Sequence, residues 1–198
     1  MNLPDRKSRK RRQTRDHISA VASALFERHG YEAVTMEQIA AEADVARGTL
    51  YNHFPVKEAV LAHGMHAQLA HELEPLMQQV MSHADFISRL TTLLDASASW
   101  WEAHRQYAAP YIRYRFQEVR QGQDERPSSE MITQYSHLIA EAQRNGEIRP
   151  EAPPARLAHY LHFLYLCAVM TWLKDDEISL RDEFSEALGF FLEGAARR

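Results

Sequence analysis

One short segment in the first third of the chain concentrates side chains suited to nucleic-acid binding. Residues 45–60 read VARGTLYNHFPVKEAV and place Arg47, Tyr51, His53 and Lys57 close together. A guanidinium can donate two hydrogen bonds to guanine, and hydroxyl and ammonium groups contact phosphate oxygens. We therefore expect this segment to contact a DNA duplex.

Two short helices joined by a tight turn are predicted to position the segment. Thr35 followed by Gln38 is a capping box, which marks a helix start at Met36. This helix is predicted over 36–43, and a third helix over about 46–53. Two short helices with such a turn form a helix-turn-helix.

The remaining sequence keeps helical periodicity, which predicts an all-α fold of about nine helices. A first helix is expected over about 14–29, ended by Gly30, because glycine readily takes the left-handed conformation after a helix. The later helices are predicted over about 57–81 with a kink at Pro75, 86–101, 111–119, 132–142, 155–174 and 180–192. Residues 121–129 are expected to form a polar loop, and residues 149–154 a proline-rich linker.

The segment TMEQIAAEADVARGTLYNHFPVKEAVL resembles the helix-turn-helix of the TetR family of bacterial transcriptional regulators. The resemblance covers about residues 15–62, and the rest agrees only in helix number, order and length. It implies a basic arm over 1–14, a DNA-binding head over 15–56 and a helical effector-binding and dimerisation domain over 57–198. Ala46 and Val56 depart from the family pattern, since polar residues are frequent at both positions.

On this resemblance, the DNA contacts are expected to come from α-helical residues of the head and from the arm. Arg47 is the expected base contact, Gly48 allows close approach of the backbone, and Tyr51 is expected to bind phosphate. The full predicted set is Thr35, Arg47, Gly48, Thr49, Tyr51, Asn52, His53 and Lys57, with Arg11 and Arg12 of the arm. The i, i+4 spacing of Leu50 and Phe54 predicts that these two residues pack inward. The alternatives are that Tyr51 and His53 only pack the head, and that the arm only raises non-specific affinity.

Charge is distributed unevenly along the 198 residues. The formal net charge is -4, yet residues 1–15 hold seven basic groups and one acidic group. A basic arm on an acidic body favours a polyanionic partner at one end. The single cysteine, Cys167, excludes an internal disulfide and is typical of a reducing cytosol. We therefore expect a cytoplasmic protein, with no membrane partner and the apolar stretch 157–173 forming a buried helix.

Aromatic residues are dense in the middle of the chain. Residues 99–117 read SWWEAHRQYAAPYIRYRFQ, and in the family the middle helices enclose a largely apolar effector pocket. The predicted lining residues are Trp101, His104, Tyr107, Tyr111 and Tyr114. The alternative is that these aromatic residues are ordinary core.

The sequence carries no catalytic signature: G-x-S-x-G, P-loop and H-E-x-x-H motifs are missing. The eleven histidines include pairs at i, i+3, but no cysteine or carboxylate cluster completes a four-ligand site. We therefore predict no enzyme, no cofactor and no metal. A helical enzyme or metal-binding protein is the less favoured alternative.

The segment 157–173 is apolar nearly all round, so a partner is expected to cover part of it. In the family, the last two helices of two subunits form a four-helix bundle, and the dimer binds a palindromic operator. The sequence thus predicts a homodimeric, ligand-responsive repressor released from DNA by a small-molecule effector. A DNA-binding dimer without a ligand is the other alternative.

Overall fold

The computed structural model describes residues 6–120 and 130–195, with the side chains of 69–71, 118–120, 130 and 195 excepted. Within these residues the chain forms nine α-helices and no strand, which confirms the all-α prediction. They are α1 Arg6–His29, α2 Met36–Glu42, α3 Arg47–His53, α4 Lys57–Met81, α5 Phe86–Ala103, α6 Arg105–Arg120, α7 Glu130–Arg144, α8 Pro154–Trp172 and α9 Leu180–Ala195. None of these helices is long and apolar enough to cross a membrane. The predicted loop over 121–129 lies outside the described residues.

Helix α1 begins earlier than the sequence predicted. We expected it to start near Thr14, but it starts at Arg6, so most of the basic arm is helical. The segment RKSRKRRQTR, residues 6–15, contains neither glycine nor proline. Lysine, arginine and glutamine are good helix formers, and they extend a helix that is anchored further along by its buried face.

Helix α6 also begins earlier than predicted. We expected a start near Tyr111, yet α6 begins at Arg105 and contains Pro110. Proline at this position removes one backbone donor, but the preceding turn is held by packing, since Tyr107 and Ala108 are buried. Only His104, the C-cap of α5, separates α5 from α6.

The chain divides into two compact units, Met1–Leu73 and Glu74–Arg198. The first unit thus contains α1, α2, α3 and α4 as far as Leu73, and α4 runs on through Pro75 into the second unit.

Contacts within the first unit tie α1 to the helices that follow it. His63 Nε2 on α4 lies 2.8 Å from Asp16 Oδ1 on α1. A Cβ added at Gly64 would lie 2.9 Å from the hydroxyl oxygens of Ser19 and Ser23, so glycine allows α4 to approach α1 closely there.

The turn between α2 and α3 is a Schellman motif with an aspartate in the left-handed position. Val45 N donates to Ala40 O at 3.0 Å, and Asp44 N donates to Ala41 O at 3.3 Å. Asp44 has φ +51°, a conformation that Asp tolerates better than most residues. The turn fixes how α3 is presented. At the other end of α2 the predicted capping box is confirmed, with Thr35 and Gln38 bonding each other's backbone N–H.

The second unit is a helical body in which α8 packs on both α7 and α9, and α5 packs on α7 and α9. Its core includes Leu93, Ile139, Leu161 and Phe184, all buried. Arg105 closes the C-terminal end of α8, because its Nη2 donates to Trp172 O at 3.1 Å and its guanidinium stacks on the Trp172 ring.

Candidate nucleic-acid interface and interior polar site

Helix α3 has one apolar face and one polar face. Leu50 and Phe54 are fully buried, which confirms their expected packing role. On the other side Arg47, Tyr51 and Asn52 are exposed. The i, i+4 spacing of the buried pair therefore directs the polar residues to solvent.

The N-terminus of α3 is open. Ala46 occupies the N-cap and provides no side-chain hydrogen bond. Gly48 is exposed, and a Cβ added there would meet no atom within 4 Å. Backbone N–H groups at a helix N-terminus favour an approaching anion, and in α3 no side chain caps them.

Arg47 is held by a neighbouring carboxylate. Its Nη2 lies 2.9 Å from Glu37 Oε1 on α2, and Tyr51 Oη donates to the same oxygen at 3.5 Å. The guanidinium carbon also lies 5.6 Å from the centroid of the Tyr51 ring. Two of the predicted DNA contacts are thus joined through Glu37, a residue that the sequence analysis did not select.

Lys57 is turned towards the loop that precedes α2. Its Nζ donates to Tyr31 O at 2.8 Å and to Val34 O at 2.9 Å, with Glu32 O at 3.5 Å. The ammonium also lies 4.2 Å from the centroid of the Tyr31 ring. All three donors of the ammonium thus have acceptors in one loop, so Lys57 holds that loop in place.

The basic end of α1 lies beside the C-terminal end of α3. Arg15 Nη1 donates to His53 O at 3.4 Å, and its guanidinium carbon lies 4.6 Å from the centroid of the Phe54 ring. Burial, then the positive charges of Arg11 and Arg15, lower the pKa of His53. Its Nδ1 is buried and has no hydrogen-bond partner among the described residues. These effects favour the neutral form of His53.

The predicted DNA-contact residues thus fall into two groups. Thr35, Arg47, Gly48, Tyr51, Asn52, Arg11 and Arg12 are exposed, whereas Thr49, His53 and Lys57 are half-buried. The hydroxyl of Thr35 already accepts from Gln38 N, so only its remaining lone pair and its proton are available to a phosphate.

Four of the five predicted effector residues form one aromatic cluster in the second unit. Trp101 lies 5.7 Å from Tyr111, and His104 lies 5.9 Å from Tyr107, between ring centroids. The two pairs are connected by Trp100, whose ring stacks on His104 at 4.4 Å and meets Trp101 edge-on at 5.0 Å. Tyr114 is half-buried on α6.

A polar network lies beside this cluster. Trp101 Nε1 donates to Tyr165 Oη at 2.5 Å, and Ser97 Oγ lies 2.7 Å from the same oxygen. Burial raises the pKa of Tyr165. The hydroxyl is therefore neutral and links α5 to α8 inside the body.

Two further polar groups close to Tyr165 are buried without a partner among the described residues. They are Tyr135 Oη on α7 and His162 Nδ1 on α8. Burial holds the pKa of Tyr135 well above its usual range. Burial, then the charges of Arg115 and His159, lower the pKa of His162 to about 4, and its ring stacks on Tyr165 at 5.9 Å.

The sequence analysis did not select Glu37 and Tyr135 as site residues, for identifiable reasons. Glu37 lies in the first turn of a helix, where an acid is favoured by the helix dipole alone. Tyr135 falls in the apolar stripe of α7, so its spacing indicated core packing. Only the missing partner of its hydroxyl distinguishes it.

The last two helices leave an apolar surface open in the single chain. Four large apolar side chains, Tyr160, Phe163 and Met170 on α8 and Phe190 on α9, are 45% to 71% exposed. Cys167 lies on the same side of α8 and is exposed in the single chain. We call these five residues the α8–α9 face.

Among the described residues, no group of three or more His, Cys, Asp or Glu side chains is arranged to hold a metal ion.

The sequence of this chain is similar to those of bacterial transcriptional regulators. The family model of bacterial regulatory proteins of the tetR family matches residues 18–63. MftR of Mycobacterium tuberculosis, a candidate transcriptional regulator of mycofactocin biosynthesis, is 29% identical over 93% of this chain and 90% of its own. The transcriptional repressor KstR of the same organism is 25% identical over 84% of this chain and 74% of its own.

Solved structures show the same fold. The TetR-family repressor FadR of Thermus thermophilus, in complex with lauroyl-CoA, superimposes with a TM-score of 0.76 at 22% identity. The match covers 93% of this chain and 96% of FadR. At this identity the likeness concerns the fold alone. The helix-turn-helix match and the relatives that cover most of this chain show that the protein is similar to bacterial transcriptional regulators of the TetR family.

Proposed function

We propose that this protein is a transcriptional repressor that binds a palindromic operator as a homodimer and is released by a small-molecule effector. The observation that carries the DNA-binding part is the exposed face of α3, where Arg47, Tyr51 and Asn52 stand beside an open helix N-terminus. The basic end of α1 beside α3 supports it, because lysine and arginine supply most of the affinity for phosphates.

Dimerisation is supported by the α8–α9 face. Monomeric proteins rarely expose a contiguous group of large apolar side chains, and such patches mark interaction sites. A two-fold dimer presents two copies of α3, which suits two half-sites of a palindrome about one helical turn apart.

The test of DNA binding is selection from a randomised duplex pool by the purified protein. We expect enrichment of a palindromic site with half-sites spaced by about one helical turn. Arg47→Ala is expected to cost about 1–3 kcal/mol of binding free energy and to relax the preference at one base position. A pool that stays random after selection would exclude a sequence-specific regulator.

The effector part rests on the interior of the second unit. Tyr135 Oη and His162 Nδ1 have no partner among the described residues, and both groups are neutral at pH 7. The cluster beside them is aromatic. Buried polar groups without partners are costly, and a ligand that pairs them recovers that cost. This arrangement fits an apolar effector that carries an uncharged oxygen, such as a carbonyl or hydroxyl group.

Lauroyl-CoA, present in the Thermus thermophilus FadR structure, is a suitable first probe because its thioester carbonyl is an uncharged oxygen on an apolar chain. We expect it to release operator DNA where coenzyme A does not, and Tyr135→Phe to weaken that release. Linkage requires operator DNA to weaken probe binding by the same factor. A probe whose affinity ignores saturating operator DNA would favour the alternative, a DNA-binding dimer without an effector.

A further inference from the structure

The carboxylate of Glu37 organises the DNA-facing side of the first unit before any DNA is bound. It comes from the first turn of α2, and one oxygen accepts from Arg47 at 2.9 Å and from Tyr51 at 3.5 Å. Arg47 and Tyr51 are one helical turn apart on α3. A single acidic group therefore links two exposed side chains of α3.

An acidic group on a phosphate-binding surface weakens DNA binding unless it also has a favourable effect on a neighbouring residue. Phosphates repel the Glu37 carboxylate, whose side chain is 52% exposed. The helix dipole favours an acid in the first turn of α2, but it does not account for the contacts to α3. Those contacts point to an effect on Arg47.

We propose that Glu37 is a positioning residue that determines DNA specificity by restraining Arg47. This inference rests on the proposed function as a DNA-binding regulator. Glu37 accepts one of the five guanidinium N–H groups, so enough donors remain for a two-bond contact to guanine. Meanwhile the ion pair holds the guanidinium in one position, so Arg47 reaches a phosphate elsewhere only if the ion pair breaks.

Removing the carboxylate frees Arg47 for any phosphate within reach. Glu37→Gln is expected to bind duplexes of unrelated sequence more tightly. One additional phosphate contact steepens the slope of log K against log salt by about 0.9 in that complex. The ratio of specific to non-specific affinity is expected to fall roughly tenfold, because the additional phosphate contact raises affinity only in the non-specific complex.

Glu42→Gln is the matched control. Glu42 lies on the same helix, carries the same charge and pairs with an arginine, but that partner is Arg28 on α1 at 3.4 Å. Both substitutions change net charge equally, so general repulsion from DNA is altered alike. Only Glu37→Gln changes the restraint on Arg47.

The experiment measures dissociation constants of wild type, Glu37→Gln and Glu42→Gln over a range of salt concentrations. The probes are the duplex enriched from the randomised pool and a scrambled duplex. The Arg47→Ala and Arg47→Ala/Glu37→Gln variants complete a double-mutant cycle. We expect the effect of Glu37→Gln on the affinity ratio to disappear when residue 47 is alanine.

An unchanged affinity ratio in Glu37→Gln would refute the inference directly. Two further results would overturn the inference while leaving the proposed function intact. One is an equal loss of the ratio in Glu42→Gln, which would reduce the effect to net charge. The other is a loss of the ratio that persists without the Arg47 side chain. A wild-type protein that enriches no sequence would instead refute the proposed function and this inference with it.

Discussion

Lys57 shows how one residue can serve both the fold and the binding of DNA. The sequence placed it at a helix N-terminus as a phosphate contact. In the structure its ammonium donates to carbonyl oxygens of Tyr31 and Val34 in the loop before α2. The residue therefore supports the start of α2, on which both the capping box and Glu37 depend.

Lys57→Met tests this structural role because it keeps the aliphatic stem and removes the ammonium. We expect the free energy of unfolding to fall by about 1–3 kcal/mol, since the loop carbonyls lose a charged donor. DNA affinity is expected to fall for all sequences alike. Urea denaturation measures the first effect, with Lys174→Met, at an exposed position, as the control. Unchanged stability together with weaker DNA binding would mean that Lys57 contacts phosphate and does not stabilise the loop.

Two buried tyrosines in the body differ in one respect. Tyr165 Oη accepts from Trp101 and contacts Ser97, whereas Tyr135 Oη has no partner among the described residues. Burying a hydroxyl without a partner costs free energy, and removing a bonded hydroxyl leaves its partners unpaired. The same substitution should therefore have opposite effects at the two positions.

We expect Tyr135→Phe to raise the free energy of unfolding by about 1 kcal/mol and Tyr165→Phe to lower it by about 1–3 kcal/mol. Urea denaturation at one protein concentration measures both. If both variants are destabilised, the Tyr135 hydroxyl is hydrogen-bonded in the free protein, and its proposed role in binding an effector loses its support. If Tyr135→Phe is stabilising, the wild-type hydroxyl is retained at a cost to stability, as expected for a binding group.

At the scale of the elements, α8 is the helix that its own chain covers only in part. Its sequence is apolar nearly all round, but within one chain only part of it is covered. Leu161, Val169 and Trp172 are buried against the body, while Phe163 and Met170 stay open. The helix therefore has a second apolar side that a partner subunit is proposed to cover.

Phe163→Glu should separate the proposed dimer into monomers, because it places a charge in the middle of the α8–α9 face. Sedimentation equilibrium measures the change, and operator affinity should fall with it. Ile87→Glu on α5 is the matched control, since Ile87 is 52% exposed and Phe163 is 51% exposed. A Phe163→Glu variant that remains dimeric would place the interface elsewhere.

At the scale of the whole molecule, stability should depend on pH through His162. Its pKa is about 4 in the folded chain and near 6.5 when unfolded, because burial opposes the charged form. Between these values the unfolded chain binds more protons. The free energy of unfolding therefore falls as pH decreases from about 6.5 towards 4, by at most about 1.4 kcal/mol per pH unit.

His162→Gln removes this titration and should flatten the decline in stability between pH 7 and pH 4.5. Urea denaturation across that range provides the measurement. His137→Gln on α7 is the control, since His137 is exposed. If the free energy of unfolding of His162→Gln depends on pH as steeply as that of the wild type, the His162 ring of the wild type is accessible enough to solvent to titrate normally.

The sequence alone determined most of the helical architecture, because the signals are local. The Thr35–Gln38 box starts α2, and Gly30 ends α1 with φ +81°. Leu50 and Phe54, one helical turn apart, predicted which side of α3 is buried. These features depend on contacts a few residues apart, so they can be read from spacing.

The tertiary structure decided which polar groups meet. Glu37 and Arg47, Lys57 and Tyr31, and Trp101 and Tyr165 are ten or more residues apart in sequence, and no periodicity pairs them. The same holds for Tyr135, whose spacing indicates core packing. That its hydroxyl has no partner in the described part of the chain is evident only once the surrounding helices are packed. Spacing along a helix sets the direction of a side chain, but the partner that it meets depends on how the helices are packed around it.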